Sequence, residues 1–86
     1  MDGYSVVATD DKRVGHVVGI QQDYYIVETG SALKKTRYPL PKRYASVEPE
    51  RKCVLMHMSK ETLHGAPKVG RDGAIDEPAV AAYYGV

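Results

Sequence analysis

The amino-acid sequence predicts a small all-β domain, a sandwich or a barrel, and three observations favour it. Short apolar runs recur about every 8 to 12 residues, with turn-forming clusters between them, which is the spacing of small all-β folds. The runs are rich in valine, isoleucine and tyrosine, which are common in strands. The chain has 86 residues, enough for one hydrophobic core and too few for two.

Five apolar runs are the predicted strands, and they cover residues 4–8, 14–20, 24–29, 37–41 and 53–58. In the second run the apolar positions change phase and two glycines occur, so a bulge with a positive backbone angle at Gly15 is predicted. Residues 31–36 are predicted to form a loop. Pro39 and Pro41 then remove hydrogen-bond donors from the fourth run, which predicts a short or peripheral strand.

The last run predicts which side chains enter the core, because successive strand residues point to opposite faces. The residues expected in the core are Val54, Met56 and Met58, and those expected on the opposite face are Cys53, Leu55 and His57. Before this run, residues 42–47 are expected to turn with Tyr44 and Val47 facing inward, and residues 48–51 are expected to form a turn.

Two short helices are predicted after the strands. Ser59 is a helix N-cap because its hydroxyl can accept from a free amide one turn later, so residues 60–63 are predicted to be helical. The acids Asp76 and Glu77 with the following proline predict a second helix start, and Gly85 ends that helix. The predicted division is a barrel-like domain over residues 1–67, followed by a linker and tail helix over residues 68–86.

Composition narrows the function classes. With 12 basic and 11 acidic side chains the formal net charge is +1, which gives no overall attraction to nucleic acid or an anionic membrane. A single cysteine rules out an internal disulfide and favours a reducing compartment. The sequence shows neither a secretion signal nor an apolar run of about 18 residues. A cytoplasmic protein is therefore expected.

The residues that could ligate a metal or act as nucleophiles form no recognisable motif. Cys53 and His57 are the one close cysteine–histidine pair, yet on a strand they would lie about 13 Å apart, too far to share a zinc ion. His16 and His64 add no zinc-type spacing. Because no serine or cysteine sits in a catalytic signature, no catalytic residue, metal or cofactor is predicted, and the protein is not expected to be an enzyme.

The strongest chemical asymmetry is a basic stretch. Between residues 31 and 47 the chain carries Lys34, Lys35, Arg37, Lys42 and Arg43 and no acid, with Tyr38 and Tyr44 interleaved. Cations beside aromatic rings can bind single-stranded nucleic acid through phosphate contacts and stacking. The alternatives are a solvated loop, or a surface that pairs with the acidic tail of the same or another subunit.

Several segments together resemble the PRC-barrel domain family, in particular its small stand-alone bacterial members. They are residues 14–17 (VGHV), 27–30 (VETG), Pro41 followed by residues 44–47 (YASV), 54–61 (VLMHMSKE) and 82–85 (AYYG). The resemblance implies a compact barrel of about six strands. It also implies an adaptor-like binding role. The family includes a ribosome-maturation factor with an additional domain and a photosynthetic reaction-centre subunit with a membrane segment. This sequence contains neither of these additions.

The functional expectation is a non-enzymatic protein-interaction module, an adaptor without a cofactor. An RNA-associated factor that uses the basic stretch is the first alternative, and a small-ligand binding protein is the second. A homodimer is also expected, because a helix as short as residues 78–85 must be docked to be stable. The candidate partner-binding residues are Lys34, Lys35, Arg37, Tyr38, Lys42, Arg43, Val80, Tyr83 and Tyr84.

Overall fold

Residues 1–85, which the computed structural model describes, form six strands, two α-helices and two 3-10 turns. The strands are β1 (Ser5–Val7), β2 (Arg13–Gln21), β3 (Tyr24–Gly30), β4 (Lys35–Pro41), β5 (Ala45–Glu48) and β6 (Cys53–Met56). The helices are α1 (Lys60–His64) and α2 (Glu77–Tyr84), and the 3-10 turns are Lys42–Tyr44 and Pro49–Arg51. Over the same residues, no helix has the length and apolar character needed to cross a membrane.

The six strands form one mixed sheet in the order β4-β3-β2-β1-β6-β5. Neighbouring strands are antiparallel except β1 and β6, which are parallel. The predicted small all-β fold is confirmed, but the sheet is not closed into a barrel, because β4 and β5 do not pair within the described chain. A turn of three residues joins these two edges, so their adjacent ends lie within about 14 Å and the sheet curls without closing.

The core lies on one face of this curled sheet. Its buried members are Val6, Ala8, Val14, Val17, Val27, Tyr38, Leu40, Val54, Met56, Leu63 and Ala66. The predicted phase of the last strand is confirmed for Val54 and Met56, and Met58 packs against the core just beyond the end of β6. Cys53 stands outside the core cluster, in agreement with its predicted place on the opposite face, yet it is buried there. Its thiol lies 3.9 Å from Oε1 of Glu48, the residue directly opposite on β5.

β2 contains the predicted bulge, but Gly15 does not have the role in it that was predicted. The pairing register with β3 shifts between Val17 and Gly19, so Val18 is the extra residue of a bulge. Gly15 does not have the predicted positive φ. A side chain at position 15 would instead collide with the backbone carbonyl of Glu28, so glycine is needed because β2 and β3 approach closely there.

β4 is an edge strand, as predicted, but it is longer than predicted. It begins at Lys35, so the last two residues of the predicted loop belong to the strand. The hairpin turn is tighter than expected because Gly30 adopts a φ of 101°. The amide of Ser31 then donates to the carbonyl of Lys34, and the amide of Lys34 donates back to the carbonyl of Ser31.

The C-terminal segment covers the β4 edge. Arg37 and Pro39 turn their carbonyls away from β3, and these groups accept from the Val69 amide at 2.9 Å and the Tyr84 hydroxyl at 2.8 Å. Pro39 and Pro41 have no N–H to present at this edge. At the β4 edge the two prolines thus lack a donor, and the outward carbonyls of Arg37 and Pro39 are satisfied by Val69 and Tyr84.

Both helices have the predicted caps. The amide of Thr62 donates to the Ser59 hydroxyl at the start of α1, which extends one residue beyond the prediction. Asp76 caps α2, and Gly85 ends it with a φ of 73°. α2 packs on its own chain, since Val80 is 1% exposed and Ala81 borders a groove with Tyr24 and Pro41.

Candidate functional site

A row of charged side chains crosses three neighbouring strands on the face opposite the core. His16 on β2, Glu28 on β3 and Arg37 on β4 are direct cross-strand partners. The Glu28 carboxylate lies 3.0 Å from Nε of Arg37, 3.6 Å from Nε2 of His16 and 3.8 Å from Nζ of Lys35. Opposite charges on adjacent strands attract at this spacing, so the sheet register itself assembles the row.

Glu28 is the buried centre of this row. It is 7% exposed, whereas the side chains of Lys35 and Arg37 are more than half exposed. The hydrogen bond from Arg37 is the largest effect on the Glu28 carboxyl, and with the charges of Lys35, Arg37 and His16 it outweighs burial and lowers the pKa. Glu28 is therefore an ionised anchor that orients the cations around it.

An open groove of about 540 Å³ lies between the charged row and the chain segment that follows α1. Its lining residues are Glu28, Lys35, Thr36, Arg37, Lys68, Val69, Gly70 and Arg71, and we call it the basic groove. The hydrogen bond from the Val69 amide to the Arg37 carbonyl holds the two walls together. Four cations and one carboxylate give this surface a net charge of +3, counted as four minus one with histidine neutral.

Two cations of the basic groove have no ionic partner in the part of the chain that the structure describes. Ion pairs there engage Lys35 and Arg37 through Glu28, but none includes Lys68 or Arg71. Arg37 uses Nε toward Glu28, which leaves its terminal nitrogens for another acceptor. The groove therefore offers several donors to an anionic group.

The predicted basic stretch does not form one surface. Lys35 and Arg37 lie at one end of β4, whereas Lys42 and Arg43 follow its other end. Lys42 is seven positions after Lys35 along an extended strand, a distance of about 23 Å. Lys34 lies in the hairpin turn before β4 and is exposed. The structure thus divides the five predicted cations between two places.

The second place is a groove of about 390 Å³ at the far end of β4. It is lined by Asp23, Tyr24, Pro41, Lys42, Arg43 and Ala81. The Lys42 ammonium lies 5.8 Å from the centre of the Tyr25 ring, within the range of a cation–π contact. Asp23 places a carboxylate beside the two cations, so this groove is less positively charged than the basic groove.

The tyrosines of the basic stretch are not free platforms for stacking. Tyr38 is 6% exposed, and its ring stacks on His64 with 5.3 Å between centroids. Tyr44 is half-buried against Tyr84, and its hydroxyl donates to the Tyr84 carbonyl at 3.3 Å. Neither ring lines the basic groove.

The candidate partner-binding residues of the tail contact their own chain. Val80 is buried, and burial raises the pKa of Tyr84 because its hydroxyl is removed from water. Tyr83 is 41% exposed, although its hydroxyl donates to the Thr62 carbonyl at 2.5 Å. Of these three side chains, only the Tyr83 ring presents substantial area to a partner.

A serine–histidine pair occurs on β5 and beyond the end of β6. The Ser46 hydroxyl lies 2.8 Å from Nε2 of His57, which is the distance of a nucleophile from its base. Both residues are exposed, and neither lines one of the two grooves described above. Over residues 1–85, no group of three or more His, Cys, Asp or Glu side chains is arranged to hold a metal ion.

Sequence reasoning missed three charged members of the basic groove, Glu28, Lys68 and Arg71. Glu28 had a recognisable signal, because a carboxylate in the middle of a strongly apolar strand must be paired if that strand is buried. Lys68 and Arg71 had none, since they lie in a glycine-containing segment with the composition of a linker. Their position depends on a backbone hydrogen bond to a strand about thirty residues earlier in the chain.

Comparison of the chain with protein-family models and with curated proteins found no match in either set. The resemblance to PRC-barrel domains therefore stays a prediction. The functional argument depends on the geometry of the grooves and of the sheet edges.

Proposed function

We propose that this chain is a non-enzymatic binding module that takes an acidic segment of a partner protein in its basic groove. The observation that carries the proposal is the net positive charge of the groove around a carboxylate that is already paired. An acidic segment would meet Lys68, Arg71 and the unused nitrogens of Arg37. Complementary charge of this kind favours partner choice and fast association.

Glu28 supports the proposal because it orients a cation before any partner arrives. Its hydrogen bond holds the Arg37 guanidinium in one direction, so less side-chain freedom is lost on binding. The Val69–Arg37 backbone bond fixes the opposite wall in the same way. A groove that is already ordered binds a flexible acidic segment at a lower entropic cost.

An acidic protein segment fits the groove better than single-stranded RNA does. RNA-binding surfaces of this size combine cations with aromatic rings on which bases stack. The basic groove is lined by no aromatic residue, and Tyr38 is covered by His64. Carboxylates need only the charge and the donors that the groove presents.

The experiment measures fluorescence anisotropy of a labelled oligoglutamate peptide titrated with the protein, at about 50 mM and about 200 mM salt. Binding is expected at the lower salt concentration, and a matching oligoglutamine peptide is expected not to bind. The double variant K68A/R71A is expected to weaken binding about tenfold, since two contacts of about 0.7 kcal/mol each correspond to that factor.

The matched control is K12A/K60A, which lowers the net charge by the same amount away from the groove. It is expected to bind as the unmodified chain does. Absence of oligoglutamate binding at the lower salt concentration would overturn the proposal, as would equal weakening by the control. A single-stranded RNA of the same charge that binds more tightly, and that K68A/R71A releases, would favour the RNA-associated function instead.

The family and the compartment form part of the same proposal. Six strands agree with the number that the PRC-barrel resemblance implies, and the adaptor role of that family agrees with a groove for a partner. The buried thiol of Cys53 agrees with a protein of a reducing cytoplasm.

A further inference from the structure

The first half of β4 has two backbone donors that the segment beside it does not use. Ser31 and Lys34 exchange both of their backbone hydrogen bonds, so the following pairs of β3 and β4 alternate between non-bonded and bonded. The N–H groups of Lys35 and Arg37 therefore point away from β3. Within residues 1–85 neither of them donates to a backbone carbonyl. Both residues line the basic groove, so these donors are available at its base.

The opposite wall of the basic groove contains a closed turn. The Gly70 amide donates to the Ala74 carbonyl at 3.0 Å, and the Gly73 amide donates to the Gly70 carbonyl at 2.9 Å. Asp72 lies in this turn, but its carboxylate accepts from the Ala74 amide and it does not line the groove. The backbone of Arg71 is thus held beside the strand, and its side chain has no ion pair within residues 1–85.

The donors that meet in the groove are of the kinds that bind a doubly charged oxyanion. Two guanidinium groups, two ammonium groups and the two outward N–H groups belong to its lining residues. Arg37 bonds Glu28 through Nε, so its terminal nitrogens remain for two parallel hydrogen bonds to one anion. A single carboxylate, with one charge and two oxygens, would leave most of these donors unused.

A phosphomonoester matches this set of donors better than other phosphates do. It carries a charge of about −1.5 to −2 at pH 7 and three strong acceptor oxygens. Each phosphate of a nucleic-acid backbone carries only one negative charge. A lipid phosphate would bring the groove walls against a bilayer, yet those walls consist of charged residues, Thr36 and Gly70, with a half-buried Val69. A phosphate on a protein segment is therefore the best fit.

We propose that the central anionic group bound in the basic groove is a phosphorylated serine or threonine of the partner's acidic segment. This inference rests on the proposed function and names the chemical group that the groove selects. The phosphate oxygens accept from the guanidinium groups of Arg37 and Arg71 and from an outward N–H at the start of β4. Lys35 and Lys68 supply further positive charge, and acidic residues beside the phosphate extend the contact.

The test compares three labelled acidic peptides that differ only at the central position, which is phosphoserine, glutamate or serine. Fluorescence anisotropy is measured at about 50 mM salt, where charge interactions are weakly screened. The phosphoserine peptide is expected to bind about tenfold more tightly than the glutamate peptide, because it adds a charge and an acceptor oxygen. Binding of the glutamate peptide without a gain from phosphoserine would overturn this inference alone and leave the proposed function standing.

Arg37→Lys separates the geometry of the guanidinium from its charge. Lysine keeps the positive charge and can still pair with Glu28, but it cannot form two parallel hydrogen bonds to a phosphate. The variant is expected to reduce the preference for phosphoserine to less than about threefold, with glutamate-peptide binding changed by less than about twofold. Arg43→Lys makes the same change in the other groove, and it is expected to keep the full preference. An unchanged preference in Arg37→Lys, or an equal loss in Arg43→Lys, would overturn the assignment.

Amide proton–nitrogen NMR spectra of the full chain locate the phosphate. The phosphoserine peptide is expected to move the amide proton signal of Lys35 or Arg37 downfield, because a hydrogen bond to an anion is short and strong, and the glutamate peptide is expected to move it less. Largest changes at Lys42 and Arg43 would place the phosphate in the other groove and overturn the inference. Tighter binding to phosphatidic acid vesicles than to the phosphoserine peptide would also overturn it, in favour of a lipid headgroup.

Discussion

At the β4 edge of the sheet, Pro39 and Pro41 offer no N–H, and the carbonyls of Arg37 and Pro39 accept from the C-terminal segment. At the β5 edge, the N–H and C=O of Val47 point away from β6 and have no hydrogen-bond partner within residues 1–85. Proteins cover or interrupt edge strands because an open edge pairs with other chains. One edge of the sheet is therefore covered by its own chain, and the other edge is open.

Sealing the β4 edge also creates the basic groove. The segment that donates from Val69 to Arg37 carries Lys68 and Arg71 next to the charged row. The segment around Val69 therefore covers part of the β4 edge and also forms one wall of the basic groove. The groove near the start of β5 contains Lys42 and Arg43 together with Asp23, so it is less positively charged than the basic groove.

The largest effect is expected from Val80→Asp, which tests how strongly the tail seals β4. Val80 is 1% exposed, so the new carboxylate would be buried without a partner. The expected loss in free energy of unfolding is about 3–5 kcal/mol, measured by urea denaturation. Hydrogen exchange should show reduced protection of the Val69 amide. Ala82→Asp, on the exposed face of the same helix, is expected to change little; equal losses would mean that α2 does not cover the edge.

An intermediate effect is expected from Glu28→Gln, which tests the charged row beside β4. The folded-state pKa of Glu28 lies below its unfolded value of about 4.3, so the ionised carboxylate stabilises the fold above that pH. This contribution is lost as the pH falls through the folded-state pKa. At pH 7 the variant is expected to lose about 1–2 kcal/mol, because the hydrogen bond to Arg37 is charge-assisted but its partners are exposed.

Urea unfolding of both proteins at several pH values from 7 down to 3 measures this effect. The loss of stability in acid should be shallower in the variant. Identical pH profiles would show that Glu28 does not stabilise the fold through its charge.

The smallest effect is expected from Ser46→Ala on the open β5 edge. Ser46 and His57 are both exposed, so loss of their hydrogen bond should change the free energy of unfolding by less than about 0.5 kcal/mol. Thermal denaturation measures the difference. A loss above about 1 kcal/mol would show that β5 is held as firmly as β4, which would weaken the contrast between the two edges.

Local signals in the sequence predicted much of the secondary structure. Ser59 and Asp76 were recognised as helix caps because capping depends on residues within one turn. The third strand was placed to within a residue, since its apolar run is bounded by a turn and by Gly30. Pro39 and Pro41 indicated an edge strand because the loss of a donor has the same consequence in any sheet.

The errors occur where a distant residue decides the outcome. The burial of Cys53 was not predicted, because its neighbour Glu48 is placed opposite it only by the strand pairing. Gly15 is required by the backbone of β3 and not by its own φ. The basic stretch was expected to act as one surface, but the extended conformation of β4 separates its two halves by about 23 Å.

The sequence by itself determined where most strands and both helices lie, which strand is interrupted by prolines, and that one core is present. These properties follow from spacing and from the chemistry of neighbouring residues. Tertiary structure alone decided that the sheet stays open, that Glu28 pairs with Arg37, and that Lys68 and Arg71 join them. Each of these outcomes depends on residues that are distant in sequence and are brought together by strand register and by the return of the C-terminal segment over β4.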